Sequence, residues 1–75
     1  MYRKNKIHGT RSFSINEKRP NDLDNAIKLE ISRLTEEKIN QGTVDIIDIS
    51  IRTIYLGGTE HYITLIYAIL EERTI

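Results

Sequence analysis

The sequence predicts an α+β domain: a three-stranded antiparallel sheet with one helix packed on one face, in the order β-α-β-β. Three observations carry this. One segment, from Leu23 to Leu34, repeats its apolar residues at helical spacing. Two segments rich in β-branched residues, Val44 to Leu56 and His61 to Leu70, flank the pair Gly57-Gly58. A short alternating stretch, Arg11 to Ile15, stands ahead of the helix.

The elements follow in chain order. Residues 1–10, MYRKNKIHGT, are polar and are expected to form a loose basic N-terminal arm. Arg11-Ser12-Phe13-Ser14-Ile15 alternates at period two, so Phe13 and Ile15 are the inward residues of a half-buried strand. Asn16 to Pro20 connects it to the helix. Pro20 sets φ there, and Asn21 or Asp22 is placed to accept hydrogen bonds from the free amides of the first turn. Leu23, Ala26, Ile27, Ile31 and Leu34 form one apolar stripe, interrupted only by Glu30. Gly42 is the expected stop, since glycine accepts the left-handed conformation that ends helices.

The second strand alternates on Val44 and Ile46 and then changes phase to Ile47, Ile49 and Ile51, which predicts a bulge near Ile46–Ile47. A second shift is expected to turn Ile54 and Leu56 to the other face. Gly57-Gly58 makes a hairpin. In the last strand Ile63, Leu65, Tyr67 and Ile69 share one face, while Tyr62, Thr64, Ile66, Ala68 and Leu70 make a second that is hardly less apolar. One helix covers one face only. Ile66, Ala68 and Leu70 are therefore expected to form an oligomer interface with another copy of the sheet.

Size argues the same way. Seventy-five residues make one domain, residues 1–75. Folds this small usually lean on disulfides, metal or oligomerisation. The chain has no cysteine, and His8 and His61 lie too far apart in sequence to suggest a metal site. No cofactor is expected. The lack of cysteine fits a reducing cytoplasm, the N-terminus lacks the apolar core of a secretory signal, and no stretch has the length of a membrane span. The expectation is a cytoplasmic homo-oligomer without a membrane partner.

Formal net charge is zero, but the charges are segregated. Arg3, Lys4, Lys6, Arg11, Lys18 and Arg19 precede Pro20 against Glu17 alone, and acids dominate after it. A basic arm on an acidic body either meets a polyanion or docks on the acidic surface of its own or a neighbouring chain, and the docked arrangement is preferred here. Arg3, Lys4, Lys6 and Arg11 are nonetheless the candidates for phosphate contact. Duplex DNA suits the chain poorly, because Asp24, Glu36 and Glu37 lie on the outer side of the helix.

Nothing in the sequence spells a nucleophile motif, phosphate loop or dinucleotide fingerprint, so no catalytic residue is assigned. Asp45 and Asp48 suit solvation of an edge strand. His61 is expected to be an exposed strand residue. Tyr55 and Tyr62 are expected to face each other across the hairpin and, with Arg52 and His61 nearby, to offer a stacking site for a ligand or partner.

Asp22-Leu23-Asp24 with Ile27, Ile47-Asp48-Ile49-Ser50, and Tyr62 through Ile66-Tyr67 to Glu71-Glu72 resemble a small uncharacterised family of Bacillus sporulation-associated proteins, also found in phages and mobile elements. The resemblance implies a phage- or mobile-element origin and assigns no site residues. The topology is similar to that of dodecins, strand–helix–strand–strand proteins that form hollow oligomers and bind flavin between aromatic rings. The chain has no tryptophan, the residue that stacks the flavin there, so architecture alone is implied. Taken together, the expected function is a non-enzymatic oligomeric binding protein that captures a partner protein or a small nucleotide-like anion at subunit junctions. The alternative is a nucleic-acid accessory protein working through the arm.

Overall fold

The computed structural model describes the backbone of residues 2–73 and the side chains of residues 8–70. Its elements are β1 (Tyr2–Glu17), α1 (Asp22–Glu37), β2 (Thr43–Tyr55) and β3 (Thr59–Arg73). The strands form one antiparallel sheet in the order β1-β3-β2, so the fold is the expected α+β arrangement of β-α-β-β. The last strand in the chain is the middle one in space. β1 and β2 run parallel to each other, each paired with β3, and each leaves one edge unpaired.

The helix starts where the chain is turned by a bond from the Asp22 N–H to the Arg19 carbonyl (3.1 Å). Asn21 makes no side-chain cap. The Asp22 carboxylate instead faces back along the connection and accepts the backbone N–H groups of Lys18 and Arg19, both at 2.9 Å. These two amides, more than the nearby positive charges, hold its pKa below the usual carboxylate value. The expected cap is therefore replaced by a clasp between β1 and α1. At the other end the Lys38 N–H closes on the Leu34 carbonyl (3.1 Å). Gly42, at φ 144°, lies beyond the helix proper and lets the chain enter β2.

β1 is longer than the alternation of residues 11–15 indicates. The backbone of the expected loose arm is paired with β3 from Tyr2, placing Arg3 opposite Glu72 and Lys4 opposite Glu71, with an irregularity between Lys4 and Ile7. In β2 the bulge falls where the phase change put it, between Ile46 and Asp48. No second shift occurs: pairing runs unbroken from Asp48 to Tyr55, and Ile54 lies on the far face by ordinary alternation.

Cross-strand rows explain both faces. On the helix side they read Gly9–Tyr67–Ile46, Arg11–Leu65–Ile49, Phe13–Ile63–Ile51 and Ile15–His61–Thr53. Ile63, Leu65 and Ile69 are essentially inaccessible, and Leu34 of α1 packs with Tyr67 and Ile69 against Val44 and Ile46. Gly9 lies under Tyr67, where a Cβ would stand 2.6 Å from the end of the ring and force a shift.

The far face reads His8–Ala68–Asp45, Thr10–Ile66–Asp48, Ser12–Thr64–Ser50 and Ser14–Tyr62–Arg52. Its apolar residues form a narrow ridge between polar shoulders. Ala68 and Leu70 are already buried in the single chain, and Ile66 is half-buried. The residues expected at an oligomer interface, Ile66, Ala68 and Leu70, thus have much of their surface covered within one chain. The composition of a face is set by all its strands, and the edge strands here contribute Ser, Thr and Asp.

Candidate functional site

Arg11, expected to contact phosphate, points instead at α1. Its guanidinium donates to Glu30 at 3.0 Å and to Glu37, and Arg33 adds a second cation 3.6 Å from Glu30. The hydrogen bond to Glu37 is the main cause that raises the Arg11 pKa, with both carboxylates adding to it against a burial effect. Glu30, the one interruption of the helix's apolar stripe, is thus the residue that ties the helix to β1. The side chains of Arg3, Lys4 and Lys6 lie outside the described residues.

His61 is buried, 6% exposed, and not on the surface as its place near the turn implied. It lies on the helix side of the middle strand and is bonded on both ring nitrogens: Nδ1 to the Thr53 Oγ1 (2.8 Å) and Nε2 to the Glu17 Oε1 (2.9 Å). An ionised carboxylate only accepts, so Nε2 carries a proton. In the neutral ring Nδ1 then accepts the Thr53 hydroxyl hydrogen. The chain Thr53–His61–Glu17 crosses all three strands and fastens them at the hairpin end. It has the atom order of a nucleophile, base and carboxylate. However, Thr53 and His61 do not line the nearby open cleft of about 420 Å³, which is bounded by Glu17, Leu56, Gly57, Glu60 and Tyr62 among others. A structural bolt is the role this geometry supports.

Tyr55 and Tyr62 are not partners. Tyr55 stands opposite Thr59, and Tyr62 stands opposite Arg52 on the far face, away from His61. The set Arg52, Tyr55, His61 and Tyr62 is therefore divided between the two sides of the sheet. Tyr62 is engaged locally: a hydrogen bond to Glu60 raises its phenol pKa, and Arg52 opposes that rise.

The feature the sequence reading missed lies along β2. Ile49 and Ile51 share rows with the wholly buried Leu65 and Ile63, yet are 40% and 46% exposed. Ile47, at the bulge, is 52% exposed. α1 is anchored over β1 through Arg11, and its Leu34 packs on β2 at Val44 and Ile46, short of the exposed Ile49 and Ile51. On the far face of the same strand Asp48 and Arg52 are exposed, and neither enters an ion pair among the described residues. The signal was the run Ile47, Ile49, Ile51 itself, which indicates a buried face until β2 is known to be an edge strand.

Among the described residues no three His, Asp or Glu side chains converge as a metal ion would need, and no helix is long and apolar enough to cross a membrane. No protein-family model, curated protein or solved structure matches the chain.

Proposed function

We propose that this protein is a non-enzymatic binding module whose working surface is the β2 flank, where another polypeptide docks. The observation that carries it is the exposure of Ile49 and Ile51 in the same rows as the buried core, beside a strand edge with unpaired backbone groups. A free, half-apolar edge is a template for an added strand, with backbone hydrogen bonds giving affinity and alternate side chains giving specificity. A protein occupant suits the chain better than a nucleotide-like anion or a nucleic acid. Arg11 is already neutralised by Glu30 and Glu37, Arg3 and Lys4 stand in register with acids, and Arg52 and His61 lie on opposite faces. A cytoplasmic setting and a phage or mobile-element origin belong to the same proposal, with sequestration or inhibition of the bound protein as the kind of work it performs.

The test is site-directed photo-crosslinking in the expressing cell. A photoreactive residue in place of Ile49 is expected to give a discrete protein adduct, whereas one in place of Ser14, exposed on β1, is not. Equal labelling from the two positions, or none from position 49, sinks the reading.

A further inference from the structure

Resting on that reading of the β2 flank, we propose that the polypeptide docking there is a second copy of this chain, paired antiparallel through β2 about a two-fold axis at Ser50. The argument is one of register. A two-fold axis perpendicular to the sheet pairs residues whose numbers share a constant even sum, so helix-side residues meet helix-side residues. The axis at Ser50 sets Asp48 opposite the second copy's Arg52, and Arg52 opposite its Asp48. On the other face Ile49 meets Ile51 and Ile51 meets Ile49, a four-isoleucine cluster that removes the exposed apolar surface from water.

Neighbouring registers do worse. An axis at Asp48 stacks two aspartates on each other, and an axis at Arg52 stacks two arginines, both destabilising directly across a pair. An axis at Ile49 or Ile51 leaves both charges without an opposite partner. The bulge between Ile46 and Asp48 disturbs the ladder on one side, so the regular stretch from Asp48 to Arg52 is the part that pairs. Among the described residues the β1 edge offers no comparable match: Ser12, Ser14 and Asn16 are polar on one face, and Arg11 is committed to α1 on the other. The result is a continuous six-stranded sheet with both helices on one side.

The native chain contains no cysteine, which makes the test clean. In Ser50→Cys two thiols are brought face to face across the axis, within the Cα separation that a disulfide spans. Mild oxidation is expected to convert this variant to a covalent dimer, while Ser14→Cys, exposed on β1, stays monomeric under the same treatment. In sedimentation equilibrium Asp48→Arg is expected to weaken self-association by about tenfold or more, since it reverses two pairs at once. Asp48→Arg with Arg52→Asp restores it to within about threefold. Circular dichroism of each variant reports folding separately. Equal oxidation of the two thiol variants, or a charge reversal that the double variant does not rescue, overturns the inference. The adduct from position 49 separates the two claims. A mass of two chains supports both, an adduct to a different protein overturns the second copy and keeps the binding reading, and no adduct sinks both.

Discussion

At the level of Leu65 the helix side of the sheet reads Arg11, Leu65, Ile49 from edge to edge, and its two ends are finished differently. On the β1 end the flank is closed by a polar device: Arg11 reaches up to Glu30 and Glu37 and holds α1 over the strand. On the β2 end nothing is drawn over the row, and an isoleucine is left 40% exposed. A small domain with one helix cannot cover three strands equally. Ion pairing places the helix, and the strand it is not paired to keeps an apolar flank for something else. The closed edge is therefore structural, and the open edge is the one to which the proposal assigns binding.

Substitutions along that row test the contrast, and the largest effect belongs to the middle of it. Leu65→Ala is expected to destabilise the fold by about 2–5 kcal/mol, as loss of a wholly buried leucine does. Ile49→Ala at the open end should cost less than about 1 kcal/mol to the isolated chain. Urea unfolding under dilute conditions measures both, and equal losses would mean that the β2 flank is part of the core. The closed edge comes next. Arg11→Ala leaves the part-buried Glu30 with Arg33 alone and is expected to cost about 1–3 kcal/mol, whereas Arg52→Ala on the open edge should leave dilute-chain stability within about 0.5 kcal/mol.

Gly9→Val probes how tightly the β1 side is packed. The new side chain meets the Tyr67 ring, and a loss of about 1–3 kcal/mol is expected, with a change in the tyrosine's near-ultraviolet signal. The smallest effect concerns pH at the β1–α1 clasp. Asp22 has a folded-state pKa lowered by the Lys18 and Arg19 amides, so its contribution is present above the ordinary carboxylate range and lost as pH falls through the lowered value. The thermal midpoint of the native chain should drop toward that of Asp22→Asn as the solution is acidified, and a difference that stays constant with pH would rule the clasp out as its cause.

Much of the architecture could be read from residues because it is written locally. The stripe from Leu23 to Leu34, the phase change at Ile46–Ile47 and the Gly57-Gly58 turn are each contained in a few consecutive positions. The site was less legible, for a physical reason. His61 is buried because Glu17 and Thr53 reach it from two other strands, and no local pattern around it says so. The apolar far face of β3 proved to be sheltered between polar neighbours, while the modest-looking Ile49 and Ile51 proved exposed. Both outcomes depend on strand order. Had β2 lain in the middle, Ile49 and Ile51 would be core and Ile66 would line an edge.

That order has a consequence for how the chain reaches its native state. β1 and β2 pair only with β3, so a ribosome that has released residues up to Gly58 has made no strand with a partner. The β2–β3 hairpin joins near neighbours through a tight turn and can close first, whereas the β1–β3 ladder must join Phe13 to Ile63 across nearly the whole chain. Because such long-range closure is slow, the hairpin stands for that interval with the β1-facing edge of β3 unpaired, although β3 carries the core residues Ile63, Leu65 and Ile69. A stray strand that met this open edge would compete with β1 for the same backbone groups, so the last-made strand is also the one whose pairing has to be completed from the far end of the chain.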